Sequence, residues 1–246
     1  MNTIKLLILF SVFALASCHA QDSTSTRATP VAEVELFTSE GCSSCPPADR
    51  LLARYAEDAL HDGVRVFPLA FHVDYWDYLG WKDAFSAAAY SDRQRMYVEA
   101  LHLNGAYTPQ MVVNGSEQFV GSDEEALRKA LHTVAKATPI ATFTKLTCTK
   151  EAGGSKINYA LGGDSRDCEI NIALVSAHES TAVKRGENRG RQLDHSNVVK
   201  EFMTVKASSN GEIAVPFSLH GANDSYIVYL QNKSSKKIIA AMKLNN

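Results

Sequence analysis

Two cysteines separated by two residues, Cys42 and Cys45, sit in the stretch LFTSEGCSSCPP, between an apolar run and a pair of prolines. Such a pair suits three chemistries. A dithiol that cycles with a disulfide needs two sulfurs within one turn of each other. A soft-metal site needs the same pair plus further sulfur or imidazole ligands. A structural staple needs only the bond, although so short a loop gains little from closure. Neither a second Cys-x-x-Cys nor a closely spaced histidine pair accompanies the first, which counts against zinc. Copper held by Cys42, Cys45 and His72 stays open, as does the staple. The reading that uses most of the local sequence is the redox pair. A helix beginning at the cysteines gives Cys42 the unpaired N–H groups and the dipole that favour a thiolate, leaving Cys45 to resolve. Pro46 and Pro47 then fall in the first turn, where a missing N–H costs little.

Other residues extend that chemistry. Thr108-Pro109 directly precedes the apolar run QMVV. A strand, Cys-x-x-Cys, a helix and a later Thr-Pro-strand form the thioredoxin-type arrangement, in which a cis proline faces the cysteines and orients the bound partner. His72 and Asp74 follow a buried strand and are candidates for proton transfer. Tyr75 and Trp76, with Thr108, suggest a substrate groove; the alternative is that the aromatics pack helices onto the sheet. Arg189 and Arg191 lie in a long polar connection, RGENRGRQLDHSN, of the kind where function concentrates. They either cover the redox site or form an interface in which Arg189 pairs with Asp74 or Asp77. Cys148 and Cys168 complete an even count past Cys18, and an oxidising compartment predicts a structural disulfide between them.

The elements that must position these residues follow from the pattern. Val31 to Phe37 and Val64 to Val73 read as strands, Asp49 to Leu60 and Lys82 to Leu103 as helices. Gln110 to Val113 and Gln118 to Val120 flank Asn114-Gly115 as a hairpin, and Ser122 with Glu125 reads as the capping box of a third helix. After Thr138-Pro139 helical periodicity fades into seven short β-rich runs between Gly, Asn and Ser turns. The expected architecture is therefore α/β. A thioredoxin-like N-terminal domain with a helical insertion spans 31–137, and an antiparallel β-sandwich-like domain spans 138–246. Ahead of them, 1–20 reads as an export signal and 21–30 as a polar tether. Leu15-Ala16-Ser17-Cys18 resembles a lipobox, which makes Cys18 a candidate for lipidation; ordinary cleavage after Ala20 is the rival.

The segments ELFTSEGCSSCPPADRLL, FHVDYWDYLGWKDAFS, YTPQMVVNG with GSDEEAL, and RGENRGRQLDHSNVV closely resemble a bacterial exported family, domain of unknown function 1223. The resemblance runs from about Val31 to about Leu230. It implies a thioredoxin-like domain followed by a β-rich one, and it supplies no reaction.

A net charge of −2 argues against a nucleic-acid partner, which would need a basic face. The expectation is an exported, periplasmic thiol–disulfide oxidoreductase acting on an exported protein or a small thiol. It needs no cofactor or metal and meets the membrane only through an N-terminal lipid. The alternatives are a non-catalytic binding or scaffold module with a structural Cys-x-x-Cys, and a copper-binding accessory protein.

Overall fold

The computed structural model describes residues 29–56 and 60–245. The export signal, Cys18 and most of the tether lie outside the described residues. The strands are β1 (Val31–Thr38), β2 (Leu60–His61), β3 (Val64–His72), β4 (Gln110–Val113), β5 (Glu117–Val120), β6 (Ala141–Glu151), β7 (Gly154–Gly163), β8 (Cys168–Ala182), β9 (Gln192–Lys206), β10 (Asn210–Val215), β11 (Asp224–Asn232) and β12 (Ile238–Asn245). The helices are α1 (Pro46–Ala53), α2 (Ala88–Ala100) and α3 (Glu124–Lys136), with a 3-10 helix over Asp74–Leu79. Among the described residues none of these helices is long and apolar enough to cross a membrane.

The expected fold class is corrected here. The protein is mostly β, and its main feature is a nine-stranded mixed sheet ordered β12-β11-β8-β9-β3-β1-β4-β5, with β2 on β3. There is no N-terminal thioredoxin-like domain with a helical insertion standing beside a separate sandwich. Strands from both halves of the chain run side by side, joined where β9 meets β3 in parallel at Ala70 and Val198. The side chain of Asn197 reinforces the seam, its Nδ2–H donating to the Pro68 carbonyl at 2.9 Å. The seven β-runs of the second half do form strands. Only β6, β7 and β10 make a sheet of their own; β8, β9, β11 and β12 belong to the long one.

The cores explain why the halves do not separate. Phe37, Phe67, Phe71 and Tyr97 from the first half share one apolar cluster with Val175, Val199, Ile227 and Tyr229 from the second. On the opposite face, Val34, Leu36 and Met111 receive Leu51 and Leu52 of α1 and Leu127 and Leu131 of α3. A third cluster lies between the small sheet and the C-terminal strands of the large one, through Ile157, Ile213, Ile172 and Val228.

β1 lies between β3 and β4 and is buried along nearly its whole length, Glu33 and Glu35 included. An alternation that suggests one wet face is in fact buried on both. Glu35 is matched: Arg93 of α2 donates to its two oxygens at 2.7 and 2.5 Å, and Tyr97 donates to one of them at 2.9 Å. The same guanidinium lies 4.9 Å from the centroid of Phe202 and 5.6 Å from that of Tyr229. One ion pair thus ties β1 and α2 to β9 and β11. Burial, then the neighbouring Glu35, pushes the Glu33 carboxyl well above its usual range.

Two local expectations also change. The N-cap of α3 is Asp123, which accepts from the Ala126 N–H at 2.9 Å, rather than Ser122. Cys148 and Cys168 are free thiols. Cys148 lies on β6 opposite Ile157 in the small sheet, whereas Cys168 opens β8 in the large one and donates to the Arg166 carbonyl at 3.3 Å. Even cysteine counts pair only when the strands bring the sulfurs together, and these lie in different sheets.

Candidate functional site

Cys42 and Cys45 are joined as a disulfide, with Cα atoms 5.5 Å apart. The bond lies at the start of α1, although one step from where the sequence places it. Cys45 is the N-cap, its carbonyl accepting from Ala48 and Asp49, while Cys42 occupies the preceding turn. Ser43 and Ser44 are exposed, but both cysteines are 0% exposed. Cys42 is therefore not the surface thiol that the helix-start argument predicts.

Its cover comes from the far half of the chain. The connection between β8 and β9 is the tip of a long hairpin that reaches the cysteine loop. Asn188, fully buried, donates through Nδ2 to the carbonyls of Glu40 and Cys42, each at 2.9 Å. Glu187 accepts from the Ser43 N–H at 3.0 Å, and that bond holds its carboxyl below the usual range. Arg189 and Arg191, the residues the sequence points to, are exposed. The pairing of Arg189 with Asp74 or Asp77 does not form. Asp74 accepts from the Ser91 hydroxyl, and Asp77 from Ser86 and the Asp83 N–H.

Pro109 directly precedes β4. The Thr108–Pro109 bond is cis. Pro109 reaches the cysteine helix through Gly121, where an added Cβ would meet Pro109 Cβ at 3.0 Å and Ala48 Cβ at 3.1 Å. Trp76 links the two loops. Its Nε1–H donates to Thr108 Oγ1 at 2.8 Å, and a Cβ on Gly41 would meet the Trp76 Cβ at 3.0 Å. Tyr75 turns to α2, donating to Gln94 at 3.0 Å. Of the expected groove, then, Trp76 and Thr108 are joined beside the cysteines, while Tyr75 acts as a brace.

Beside the disulfide lies a buried set of ionisable groups. His72 pairs with Asp83 at 2.7 Å, not with Asp74. Burial alone would lower His72, but the Asp83 carboxylate outweighs it and holds the imidazole above its ordinary value. Burial likewise works against the Asp83 anion, yet His72 and the N–H groups of Glu40 and Phe85 hold its carboxyl below the usual range. Both side chains of the pair are fully buried. Next to it the His195 ring lies 4.7 Å from that of His72, 3.6 Å from Glu40 and 3.8 Å from Asp49. Trp81 donates to Glu40 at 2.7 Å, and Thr38 donates to Asp49 at 2.9 Å. Burial raises the Asp49 carboxyl despite the opposing charges of His195 and His72. Among the described residues no group of three or more His, Cys, Asp or Glu is arranged to hold a metal ion.

Sequence reasoning missed Glu40, Asp49, Asp83, Asn188 and His195. Asp49 carried a signal: it is a carboxylate four residues after Cys45, on the helix face that Leu52 shares. Asn188 and His195 lie within the polar run singled out for its arginines. Nothing in the sequence marked Asp83.

Fold and site define a β-rich protein in which a Cys-x-x-Cys disulfide sits beside a cis proline and beneath a hairpin tip. The chain belongs to the family described as protein of unknown function, DUF1223, which matches residues 33–231. Among solved structures it is similar to protein AGR_C_4864 from Agrobacterium tumefaciens, with 27% identity and a TM-score of 0.66 over 87% of this chain and 93% of that one. Its fold is also similar to that of HBP35 of Porphyromonas gingivalis, with 16% identity and a TM-score of 0.60 over 88% of this chain and 75% of that one. No curated protein matches the chain.

Proposed function

We propose that the protein is a thiol–disulfide exchange protein, acting on exported proteins or small thiols. The observation that carries this reading is the Cys42–Cys45 disulfide at the start of α1, flanked by Pro109 and by buried groups able to hold a proton. In the exchange, a client thiolate attacks Cys42 Sγ. The Cys42–Cys45 bond breaks, and Cys45 leaves with the electron pair and takes up a proton. A second client thiolate attacks the client sulfur of the mixed disulfide and Cys42 is released. The client dithiol is oxidised by two electrons and the cysteine pair is reduced; the reverse sequence reduces a client disulfide. The exported setting is read from the N-terminal sequence, with Cys18 as the site of a lipid.

One observation favours a second reading. Both sulfurs belong to residues with no exposed surface, as in a structural staple. The reduction potential separates the two. An exchange protein falls in the range of roughly −270 to −120 mV, whereas structural disulfides lie below about −300 mV. In the first case Cys45→Ser traps mixed disulfides with clients through Cys42; in the second neither single-cysteine variant traps any.

A further inference from the structure

We infer that His195, brought by β9 from the second half of the chain, is a positioning residue for the exchange, placed between Glu40 and Asp49 so that Asp49 can hand a proton to Cys45. This inference rests on the exchange reading above and adds to it where the proton comes from.

The need is physical. Cys45 is fully buried, so when the disulfide opens the leaving sulfur would become a thiolate without water around it. Asp49 follows Cys45 by four residues, which puts the two side chains on the same face of the helix start. The Asp49 N–H already bonds to the Cys45 carbonyl at 3.1 Å. One Asp49 oxygen is taken by Thr38 at 2.9 Å, and the other faces His195 Nδ1 at 3.8 Å. The opposite ring nitrogen faces Glu40 at 3.6 Å.

Those two separations are ion-pair distances and not hydrogen bonds. Both nitrogens of His195, Glu40 Oε1 and His72 Nε2 are buried with no hydrogen-bond partner. Buried polar atoms are nearly always paired, and a cluster of exceptions calls for a reason. A ring poised between two carboxylates can join either as its charge changes. His72 is committed to Asp83 and has no such freedom.

The charged groups facing His195 are few. They are Glu40 before the cysteines, Asp49 on α1, and His72 on β3 with Asp83 behind it. The Phe85 ring packs 6.1 Å from the His195 ring, and Lys200 Nζ lies 4.6 Å from the Phe85 ring centroid. On the hairpin itself, Asp194 is taken by Ser180 and Glu179 by Lys200. As the disulfide opens, the Asp49 proton moves to Cys45 and a carboxylate forms, 3.8 Å from His195 Nδ1, which closes on it to donate. Burial raises the Asp49 carboxyl and so favours its protonated form beforehand, and His195 is the largest force opposing that.

The test is the rate at which dithiothreitol opens Cys42–Cys45 in the intact protein, corrected for thiolate concentration. It runs from about pH 5 to about pH 9, where raised carboxyl and imidazole groups titrate. Because the protonated donor is the active form, the corrected rate falls as pH rises through the Asp49 value. In His195→Gln the fall moves to higher pH, since the charge that held Asp49 down is gone. In Asp49→Asn it vanishes, with a plateau lowered about tenfold or more. A second measurement needs no variant: in the wild-type protein the His195 ring proton, followed by NMR, shifts at the same pH as the rate. An unmoved fall in His195→Gln, or an NMR inflection that does not coincide, overturns the inference and leaves the exchange reading intact. A folded protein whose disulfide dithiothreitol does not open at any pH removes both.

Discussion

At the scale of single residues, Asn188 is worth more to the cysteine loop than either arginine beside it. One amide group holds two carbonyls of the cysteine loop. Asn188→Ala should lower stability by about 1–3 kcal/mol, the cost of stranding buried acceptors. It should also speed reduction of the disulfide by a small reductant. Arg189→Ala should change neither; melting curves and reduction rates on both variants decide it. A second prediction concerns His72 and Asp83. The folded His72 value lies above its unfolded value near 6.5, so this stabilisation is complete below about pH 6.5 and is lost as pH rises through the folded value. The Asp83 contribution is complete above about pH 4 and is lost as pH falls through its depressed value. Stability should therefore decline on the alkaline side, and Asp83→Asn should make that decline shallower in urea titrations across pH. Asp49, being raised, adds a decline of the same sign in both proteins. His72 was legible because it ends a buried strand beside an aromatic run. Its partner was not, since Asp74 stands closer in sequence and only the 3-10 helix turns it away toward Ser91.

Elements were easier to find than to bound. Most strands appear where β-branched and aromatic residues cluster, and β4 matches the expected Gln110 to Val113, but Leu60, expected to end a helix, opens β2, and α1 stops at Ala53. Strands β8 and β9 are far longer than the short β-rich runs that the sequence predicts, reaching to Ala182 and back to Gln192. Their outer portion is polar on both faces, so the alternation that marks a half-buried strand is missing, and the segment reads as loop. Glu33 and Glu35 alternate with Val34 and Leu36 along β1, yet both faces of that strand are buried. The Glu35–Arg93 pair gives this scale its prediction. Arg93→Met should cost about 3–5 kcal/mol, because it leaves a buried carboxylate without its counter-charge. Replacing both, as Glu35→Leu with Arg93→Met, should cost much less than the sum of the single changes. Urea midpoints for the three variants provide the measurement.

For the whole molecule, the decisive fact is the seam between β3 and β9. No motif announces it: one parallel pairing of Ala70 with Val198, an asparagine bond and a shared apolar cluster do the joining. Texture along the sequence changes near Ala137, and so the chain looks divisible, but a change of texture says nothing about which strands become neighbours. A fragment of residues 31–137 should therefore fail to fold alone, because it exposes one edge of β3 and half of a core; circular dichroism and proteolysis of the fragment against the full chain would show it. Peptide mapping without reductant should find Cys148 and Cys168 alkylated and Cys42 linked to Cys45. The hairpin tip carries one more consequence, which concerns time. Synthesis proceeds from the N-terminus, and Asn188 follows Cys42 by 146 positions. While the chain is still growing the cysteine pair exists and its cover does not. In the emerging chain both sulfurs stay accessible until β9, paired with β8, joins β3 and brings the tip down over them.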